Sequence, residues 1–482
     1  MKKTIFLISI TLVISCNKNE PLPNKVVSLK DTTYKTFVSK AGSYSLINST
    51  TGQVLTNKWA PGFYETEETY WNKYSFIGSS LNNGPTCANG CPDYRFWDVS
   101  SVYLDYNHDG YLDMFAFLTL FKNDVYGISS GKFLLVDNVL GVTPKKTYSE
   151  SPIRFPPRMK LLDINNDGSF EILVTSEEDH LLFNGTQGLV APIKIISIDK
   201  NGVITTKELG AAMSAHGVTS GDIDNDGDQD ILVWRNNYTE IYQTDLPCMP
   251  FIYTNDGNGN FKLEDSFQKI VGLDEIIAKL PSPGRRSYGA SVVELFDMDN
   301  DGILDIIMAL SHTEQPVVSW EYTHPTTRIY WGKGKGVFDF KSSYTDLPNT
   351  YTSNFVTPSG GTFSPIGFNI FDYDNDGDMD LISSITPNYG GFFLQLHENL
   401  GSRKFQDVTN SKISKYSEVY ARNDCMVGVL PDFYNIRPLD VDGDGDLDLV
   451  PSSVATWLPN KSCVCPINVY WENKNGFFIR KN

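Results

Sequence analysis

The stretch D-Y-D-N-D-G-D-M-D, from Asp372 to Asp380, places a carboxylate at every second position of nine residues. Related nine-residue stretches occur six times, and we number them loop 1 to loop 6: 105–113, 163–171, 222–230, 297–305, 372–380 and 440–448. Position six is glycine in every copy. Asp and Gly are ordinary turn residues, but six copies in one register exceed what turn formation requires. The chain of 482 residues is therefore read as an array of repeats.

Apolar stretches flank each loop. Before loop 4 stands Val292 to Phe296, and after it comes Ile306 to Leu310. Short runs of β-branched and aromatic residues bounded by Asp and Gly indicate strands. Each loop is therefore predicted to join two adjacent strands.

A second signature recurs downstream of the loops. It reads I-Y-T-N-D-G-N-G-N-F from Ile252, I-Y-W-G-K-G-K-G-V-F from Ile329, Q-L-H-E-N-L-G-S-R-K-F from Gln395 and V-Y-W-E-N-K-N-G-F-F from Val469. Each copy indicates a hairpin with a Gly or Asn turn. Two strands plus a hairpin make four antiparallel strands per repeat, which predicts an all-β fold, the β-propeller.

The loops have the residue types that calcium requires. Ca²⁺ takes six to eight oxygen ligands, and side chains at positions 1, 3 and 5 of a tight loop converge on one point. Position 7 offers a backbone carbonyl and position 9 a carboxylate. An EF-hand would need Glu at position 12, where this chain has Ala116, Val174, Val233, Met308, Ser383 and Pro451.

The sequence therefore predicts about six Ca²⁺ ions held by loops that lead into strands. The predicted metal positions are Asp105, Asn107, Asp109, Tyr111, Asp113, Asp163, Asn165, Asp167, Ser169, Glu171, Asp222, Asp224, Asp226, Asp228, Asp230, Asp297, Asp299, Asp301, Ile303, Asp305, Asp372, Asp374, Asp376, Asp378, Asp380, Asp440, Asp442, Asp444, Asp446 and Asp448.

Loop, following strand and N-x-G-x-F hairpin together resemble the FG-GAP or VCBS repeats, found in the propeller head of integrin α subunits and in many bacterial surface proteins. The resemblance covers roughly residues 95–482. It implies a propeller, commonly seven-bladed, with the calcium loops on one face. Two features depart from the family: Glu171 replaces Asp at position 9 of loop 2, and six loops are visible. Residues 31–94 are about one blade long, so we expect a seventh, metal-free blade; six blades with an N-terminal extension is the alternative.

The N-terminus has the features of a targeting segment. Lys2 and Lys3 precede the apolar run Ile5 to Ser15, which is too short to span a bilayer. The run ends in V-I-S-C at Cys16, which resembles the lipobox of bacterial lipoproteins. We expect residues 1–16 to be a signal peptide, 17–30 a polar tether and 31–482 the propeller. Acyl chains on Cys16 would anchor the protein in the outer membrane of the cell envelope.

Composition limits the partners and the disulfides. A net charge of -18 disfavours nucleic acid, and 40% hydrophobic residues are ample for a packed interior. We expect a monomer. An oxidising compartment permits disulfides, but the sequence leaves open the pairing of Cys87, Cys91, Cys248, Cys425, Cys463 and Cys465.

Ligand-binding candidates are expected on the rim opposite the loops, because exposed aromatic residues beside Arg suit sugar rings or carboxylates. The candidates are Arg95, Trp97, Arg285, Arg286, Tyr288, Trp320, Tyr322, Tyr389 and Trp457. The favoured function is a calcium-stabilised module that binds a glycan or a protein. The family resemblance also implies a second function, a calcium-dependent polysaccharide lyase, for which His216, Arg285 and His324 are weak catalytic candidates. A scaffold subunit of a surface complex is the third.

Overall fold

The structure is a computed structural model. It describes residues 34–38, 44–48, 54–56, 93–109, 113–121, 131–137, 145–151, 158–165, 167, 169–175, 192–210, 215–235, 249–274, 289–311, 327–348, 363–387, 391–419, 436–439, 446–451 and 470–481. The described segments are β-strands, turns and two helices of a single turn. In these segments no helix has the length and apolar character needed to cross a bilayer. Cys16 and the expected tether lie outside the described residues.

The first half of the chain forms four antiparallel sheets. A three-stranded sheet contains β1 (Tyr34–Val38), β2 (Tyr44–Asn48) and β3 (Val54–Thr56). Blade 1 contains β4 (Asp93–Leu104), β5 (Asp113–Phe121), β6 (Gly131–Asp137) and β7 (Lys145–Ser151). Blade 2 contains β8 (Arg158–Leu162), β9 (Glu171–Thr175), β10 (Ile193–Ile198) and β11 (Ile204–Leu209). Blade 3 contains β12 (Ala215–Gly221), β13 (Asp230–Arg235), β14 (Pro250–Thr254) and β15 (Lys262–Leu263).

The second half continues the same plan. Blade 3 is followed by α1 (Ser266–Lys269) and β16 (Ile270–Val271). Blade 4 contains β17 (Gly289–Phe296), β18 (Asp305–Ser311), β19 (Thr327–Tyr330) and, after the short β20 (Phe338–Asp339), β21 (Tyr344–Asp346). Blade 5 contains β22 (Phe363–Phe371), β23 (Asp380–Pro387), β24 (Gly391–Asn399) and β25 (Phe405–Asp407), and then come α2 (Thr409–Lys412) and β26 (Ser417–Val419), which pairs with β24. Blade 6 contains β27 (Ile436–Leu439), β28 (Asp448–Pro451), β29 (Tyr470–Asn473) and β30 (Phe478–Lys481).

The six blades follow one strand order, in which each acidic loop joins the first and second strands. The residue before the loop always pairs with position 9, as Phe371 does with Asp380 in blade 5. The N-x-G-x-F signature forms the hairpin between strands three and four in blades 3 to 6. Because the strands alternate in direction, loops and hairpins lie at the same end of each blade, which we call the loop rim.

The first strands of successive blades pack against one another, from β4 through β8, β12, β17 and β22 to β27. Lys160 of blade 2 forms an ion pair with Glu294 of blade 4, and the hydroxyl of Thr219 in blade 3 donates to the same carboxylate at 3.1 Å. Each of these residues stands three positions before its loop. Side chains at one register position therefore meet from three blades, as expected where first strands surround a common axis.

The apolar cores lie between neighbouring blades. One cluster joins Trp331 and Leu347 of blade 4 to Leu381 and Phe405 of blade 5. The fold is thus a β-propeller of four-stranded antiparallel blades, as predicted.

The three-stranded sheet contacts blade 6 through β3 and β27. The total of seven blades stays a prediction.

The position 9 carboxylate connects the loop to the third strand of its own blade. Asp380 accepts the backbone N–H of Tyr373, at position 2 of loop 5, at 3.1 Å. Its other oxygen accepts the N–H of Asn399, at the end of β24, at 2.8 Å. Asp230 and Asp305 make the same two contacts in blades 3 and 4. These buried carboxylates fix the loop against the hairpin.

The hairpin asparagine then connects one blade to the loop of the preceding blade. Asn399 Nδ2 of blade 5 donates to the carbonyl of Met298, position 2 of loop 4, at 3.0 Å. Asn473 of blade 6 donates to Tyr373 of loop 5 at 3.1 Å. Asn255 of blade 3 donates to Ile164 of loop 2 at 2.7 Å.

Blade 4 has Gly332 at the asparagine position, where a Cβ would lie 2.4 Å from the carbonyl oxygen of Leu304. The backbone N–H of Gly336 replaces the missing amide and donates to Ile223 of loop 3 at 3.0 Å. Along the loop rim, hydrogen bonds therefore connect each of loops 2 to 5 to the hairpin of the following blade.

Asn399→Ala tests this connection. The substitution removes the donor to the buried Met298 carbonyl and the acceptor for the N–H of Gly401. We expect the free energy of unfolding to fall by about 2 to 4 kcal/mol, because buried polar groups lose their partners. Guanidinium denaturation measures the loss. The exposed Asn410→Ala should change it by less than about 0.5 kcal/mol, and equal losses for both would contradict the role of Asn399.

Candidate metal centre

Loops 3, 4 and 5 share one backbone conformation. Position 4 has positive φ in all three, at 63° for Asn225, 58° for Asn300 and 61° for Asn375. Asparagine tolerates this left-handed region better than most residues. The glycine at position 6 also has positive φ, for example 99° at Gly377, which favours a residue without Cβ. Two left-handed residues wind the chain tightly around the loop centre.

Hydrogen bonds within each loop then orient the carboxylates. In loop 5, Asp372 accepts the N–H groups of Asp376 and Gly377 at 3.1 and 3.0 Å. Asp376 accepts the N–H of Asp378 at 2.9 Å. Loops 3 and 4 repeat these contacts. The oxygens at positions 1 and 5 are therefore held by the loop's own backbone.

Positions 1, 3 and 9 bring one oxygen each to a common point. In loops 3, 4 and 5 the three atoms of each set lie within 4.8 Å of one another; the sets are Asp222, Asp224 and Asp230, then Asp297, Asp299 and Asp305, then Asp372, Asp374 and Asp380. The Oδ1 atoms of Asp224 and Asp374 are buried without a hydrogen-bond partner. A cation bound by all three carboxylates would satisfy these atoms, so the residues fit a metal ion with oxygen ligands.

Burial raises the pKa of the position 9 carboxyls. The pKa is raised to about 7 for Asp230 and Asp305 and to about 8 for Asp380. Desolvation is the main cause and neighbouring carboxylates add to it, while backbone N–H donors act in the opposite direction. A negative charge on the position 9 carboxylate therefore needs a positive charge close to it.

Loops 1, 2 and 6 are described in part. Asn107 and Asn165 donate to the position 5 carboxylates of their own loops at 3.3 and 2.9 Å. Glu171 accepts the N–H of Ile164 at 3.2 Å, so the longer side chain retains one contact of the position 9 carboxylate. Tyr111, Asp440, Asp442 and Asp444 lie outside the described residues.

The predicted ligand-binding residues are placed only in part. Arg95 and Trp97 lie on β4, in the half remote from loop 1, and His216 lies at the end of β12 remote from loop 3. These backbone positions are opposite the loop rim, and their side chains are not described. The other candidates lie outside the described residues: Arg285, Arg286, Tyr288, Trp320, Tyr322, His324, Tyr389 and Trp457.

His216 also stands at a break in strand register between Ala215 and Gly217. The same break occurs six residues before loops 4 and 5, at Ser291 and Ile366. Bulges of this kind redirect side chains. Because the same bulge occurs in three blades, it is a feature of the repeat and does not single out His216.

Several structural residues were absent from the sequence interpretation. Position 2 of the loops packs between blades, where Ile223, Met298 and Tyr373 are buried. The hairpin asparagines bridge blades, although the sequence indicated only a turn. The signal was present in both cases: position 2 is Tyr, Ile, Ile, Met, Tyr and Val in the six copies, and Asn begins three of the four hairpin turns.

The fold and its acidic loops define a repeat propeller with metal-binding potential. Two segments, residues 163–233 and 297–383, match the family of FG-GAP-like repeats. They include loops 2 to 5 and at least half of the strand that follows each loop. The fold is thus a propeller in which two segments match FG-GAP-like repeats.

Similarity to solved structures is low. The chain is 12% identical to rhamnogalacturonan lyase YesW over 79% of this chain and 59% of that chain, with a TM-score of 0.30. For the exotype rhamnogalacturonan lyase YesX the identity is 14%, the coverages are 67% and 57%, and the TM-score is 0.33. The chain is 9% identical to the C-terminal domain of Pseudomonas aeruginosa PilY1 over 75% of this chain and 78% of that chain, with a TM-score of 0.34. The chain thus spans less than two thirds of the length of the two lyases. TM-scores this low do not support the transfer of a function to this chain. No curated protein matches the sequence significantly.

The raised pKa values predict how pH acts on the metal-free protein. In EDTA the folded chain retains protons on Asp230, Asp305 and Asp380 at pH values where the unfolded chain has lost them. This stability is complete below the ordinary pKa of 3.8 and is lost as pH rises to about 8. We expect the melting temperature in EDTA to fall between pH 5 and pH 8. In excess Ca²⁺ the melting temperature should change little over this range, because the bound ion keeps these carboxyls deprotonated in the folded chain as they are in the unfolded chain; parallel profiles in EDTA and in Ca²⁺ would contradict the assignment.

Proposed function

We propose that this protein is a calcium-stabilised binding module of the cell envelope, anchored through lipid on Cys16. The observation that carries the calcium assignment is the convergence of three carboxylates in each of loops 3, 4 and 5, with a buried, unpartnered oxygen at position 3 of loops 3 and 5. Calcium prefers oxygen ligands alone and accepts irregular geometry. When bound, it would neutralise these carboxylates and stabilise the connections between blades.

Asp374→Asn tests the calcium assignment. The substitution removes one charge and one ligand oxygen from loop 5 but keeps the shape of the side chain. We expect calorimetric titration with CaCl₂ to show one tight site fewer than in the original protein. The melting temperature in Ca²⁺ should also fall, because bound ions stabilise the folded state by mass action.

Asp265→Asn is the matched control. Asp265 is exposed and accepts the N–H of Phe267 as the N-cap of α1, and Asn caps helices about as well as Asp. This variant loses the same charge outside the loops, so its calcium stoichiometry should equal that of the original protein. If the unsubstituted protein binds no Ca²⁺, the proposal is refuted.

The proposed ligand is a glycan or a protein at the outer surface. The loop rim is occupied by metal loops and connections between blades. Function is therefore assigned to the opposite rim, where Arg95, Trp97 and His216 lie at the remote ends of their strands. The Arg and aromatic residues of that rim suit sugar rings and carboxylates. We propose that the protein is a monomer and that it binds this ligand while the lipid anchors the protein in the outer membrane.

A calcium-dependent polysaccharide lyase is the alternative. The two are separated by incubating the protein with an array of acidic and neutral glycans and following absorbance at 235 nm, where unsaturated lyase products absorb. A binding module retains a glycan or a surface protein without producing absorbance. Binding should weaken at least about tenfold in Trp97→Ala, since aromatic residues supply much of the energy of such sites. Absorbance that grows with time and disappears in His216→Ala would replace the binding proposal with the lyase.

A further inference from the structure

Arg403 lies at a position that is glycine in the other three hairpins. Two residues before the hairpin phenylalanine, blades 3, 4 and 6 have Gly259, Gly336 and Gly476, with φ of 77°, 68° and 79°. Arg403 has φ of 63°, a left-handed conformation that is unfavourable for a residue with a side chain. The arginine therefore occupies a position that favours glycine.

In blades 4 and 6 this hairpin position faces position 3 of the preceding blade's loop. A Cβ on Gly336 would lie 3.6 Å from the Cβ of Asp224, and one on Gly476 would lie 3.5 Å from the Cβ of Asp374. In blade 5 the position has a long cationic side chain. Its Nε is 2.5 Å from Oδ2 of Asp299, position 3 of loop 4.

The guanidinium also reaches position 5 and an aromatic ring. A terminal nitrogen lies 3.4 Å from Oδ2 of Asp301, and the Oδ1 of Asp301 already accepts the N–H of Ile303. The guanidinium carbon is 4.6 Å from the ring centre of the buried Trp331. Arg403 thus holds oxygens of two predicted calcium ligands while stacking on an indole.

Loop 4 also has less negative charge than loops 3 and 5. Position 7 is Ile303 in loop 4 and aspartate, Asp228 and Asp378, in the other two. Arg403 cancels a further charge at contact distance. Calcium affinity increases with the charge of the ligand set, so loop 4 should bind the ion more weakly than its neighbours.

We propose that Arg403 is the built-in counter-ion of loop 4 and that Ca²⁺ binding there displaces it from Asp299 and Asp301. The proposal rests on calcium binding by the loops. It makes loop 4 the weakest of the three central sites and the contact between blades 4 and 5 dependent on calcium. The hairpin of blade 5 would then respond to the calcium concentration while the other hairpins stay fixed.

The test compares Arg403→Gln with the original protein in EDTA and in excess CaCl₂. Glutamine retains the unfavourable backbone conformation and removes the charge. In EDTA we expect a lower melting temperature, because loop 4 loses its cation. In CaCl₂ the temperature should be equal or higher. Calorimetric titration should show the same number of sites, with one of them tightened about tenfold or more.

Arg328→Gln is the matched control. Arg328 pairs with Asp346 at 2.5 Å and lies 4.1 Å from the ring centre of Tyr344, outside the acidic loops. Its loss should shift the melting temperature equally in both buffers and leave the titration unchanged. Arg403→Lys, which keeps the charge, should behave more like the original protein.

The outcomes separate this proposal from the calcium assignment. If the original protein binds Ca²⁺ but Arg403→Gln titrates identically or more weakly, the counter-ion role is wrong while calcium binding stands. Equal destabilisation in both buffers would identify a purely structural ion pair. If the original protein binds no Ca²⁺, both proposals fall.

Discussion

The buried carboxylate at position 9 is the interaction on which the loop rim depends. Its two oxygens accept one N–H from position 2 of the loop and one from the end of the third strand, as Asp380 does with Tyr373 and Asn399. A single side chain thus sets the loop against the hairpin. The cost is a desolvated acid whose pKa is raised, and a bound cation or a proton compensates that cost.

The same end of the molecule connects the blades. The hairpin asparagine donates its backbone N–H to the position 9 carboxylate and its side-chain amide to the loop of the preceding blade, as Asn399 does to Asp380 and to Met298. A blade shares its apolar core with its neighbours and has little independent stability, as in other repeat proteins. The hydrogen bonds of the rim therefore act with the core between blades, and the acidic loops are part of the scaffold.

Because the loop rim holds the blades together, the proposed ligand face lies on the opposite rim. Loops 3 to 5 share one conformation and differ mainly in charge, whereas a binding face needs residues that differ between blades. Within loops 3 to 5, loop 4 differs most, since Arg403 contributes a cation from the neighbouring blade. The proposed counter-ion Arg403 would therefore respond to the metal at the loop rim, while the proposed ligand face lies at the opposite rim.

The sequence by itself determined the strands, the loops and their joining of adjacent strands, because short runs of β-branched and aromatic residues and Asp-Gly turns are local signals. It also determined the charge at odd positions. Only the tertiary structure decided that Asn399 reaches Met298 and that Arg403 reaches Asp299. These partners are 101 and 104 residues apart, and their contact depends on how one blade packs on the next. The shared rim of loops and hairpins follows from strand alternation, but the partner across the blade boundary is set by packing alone.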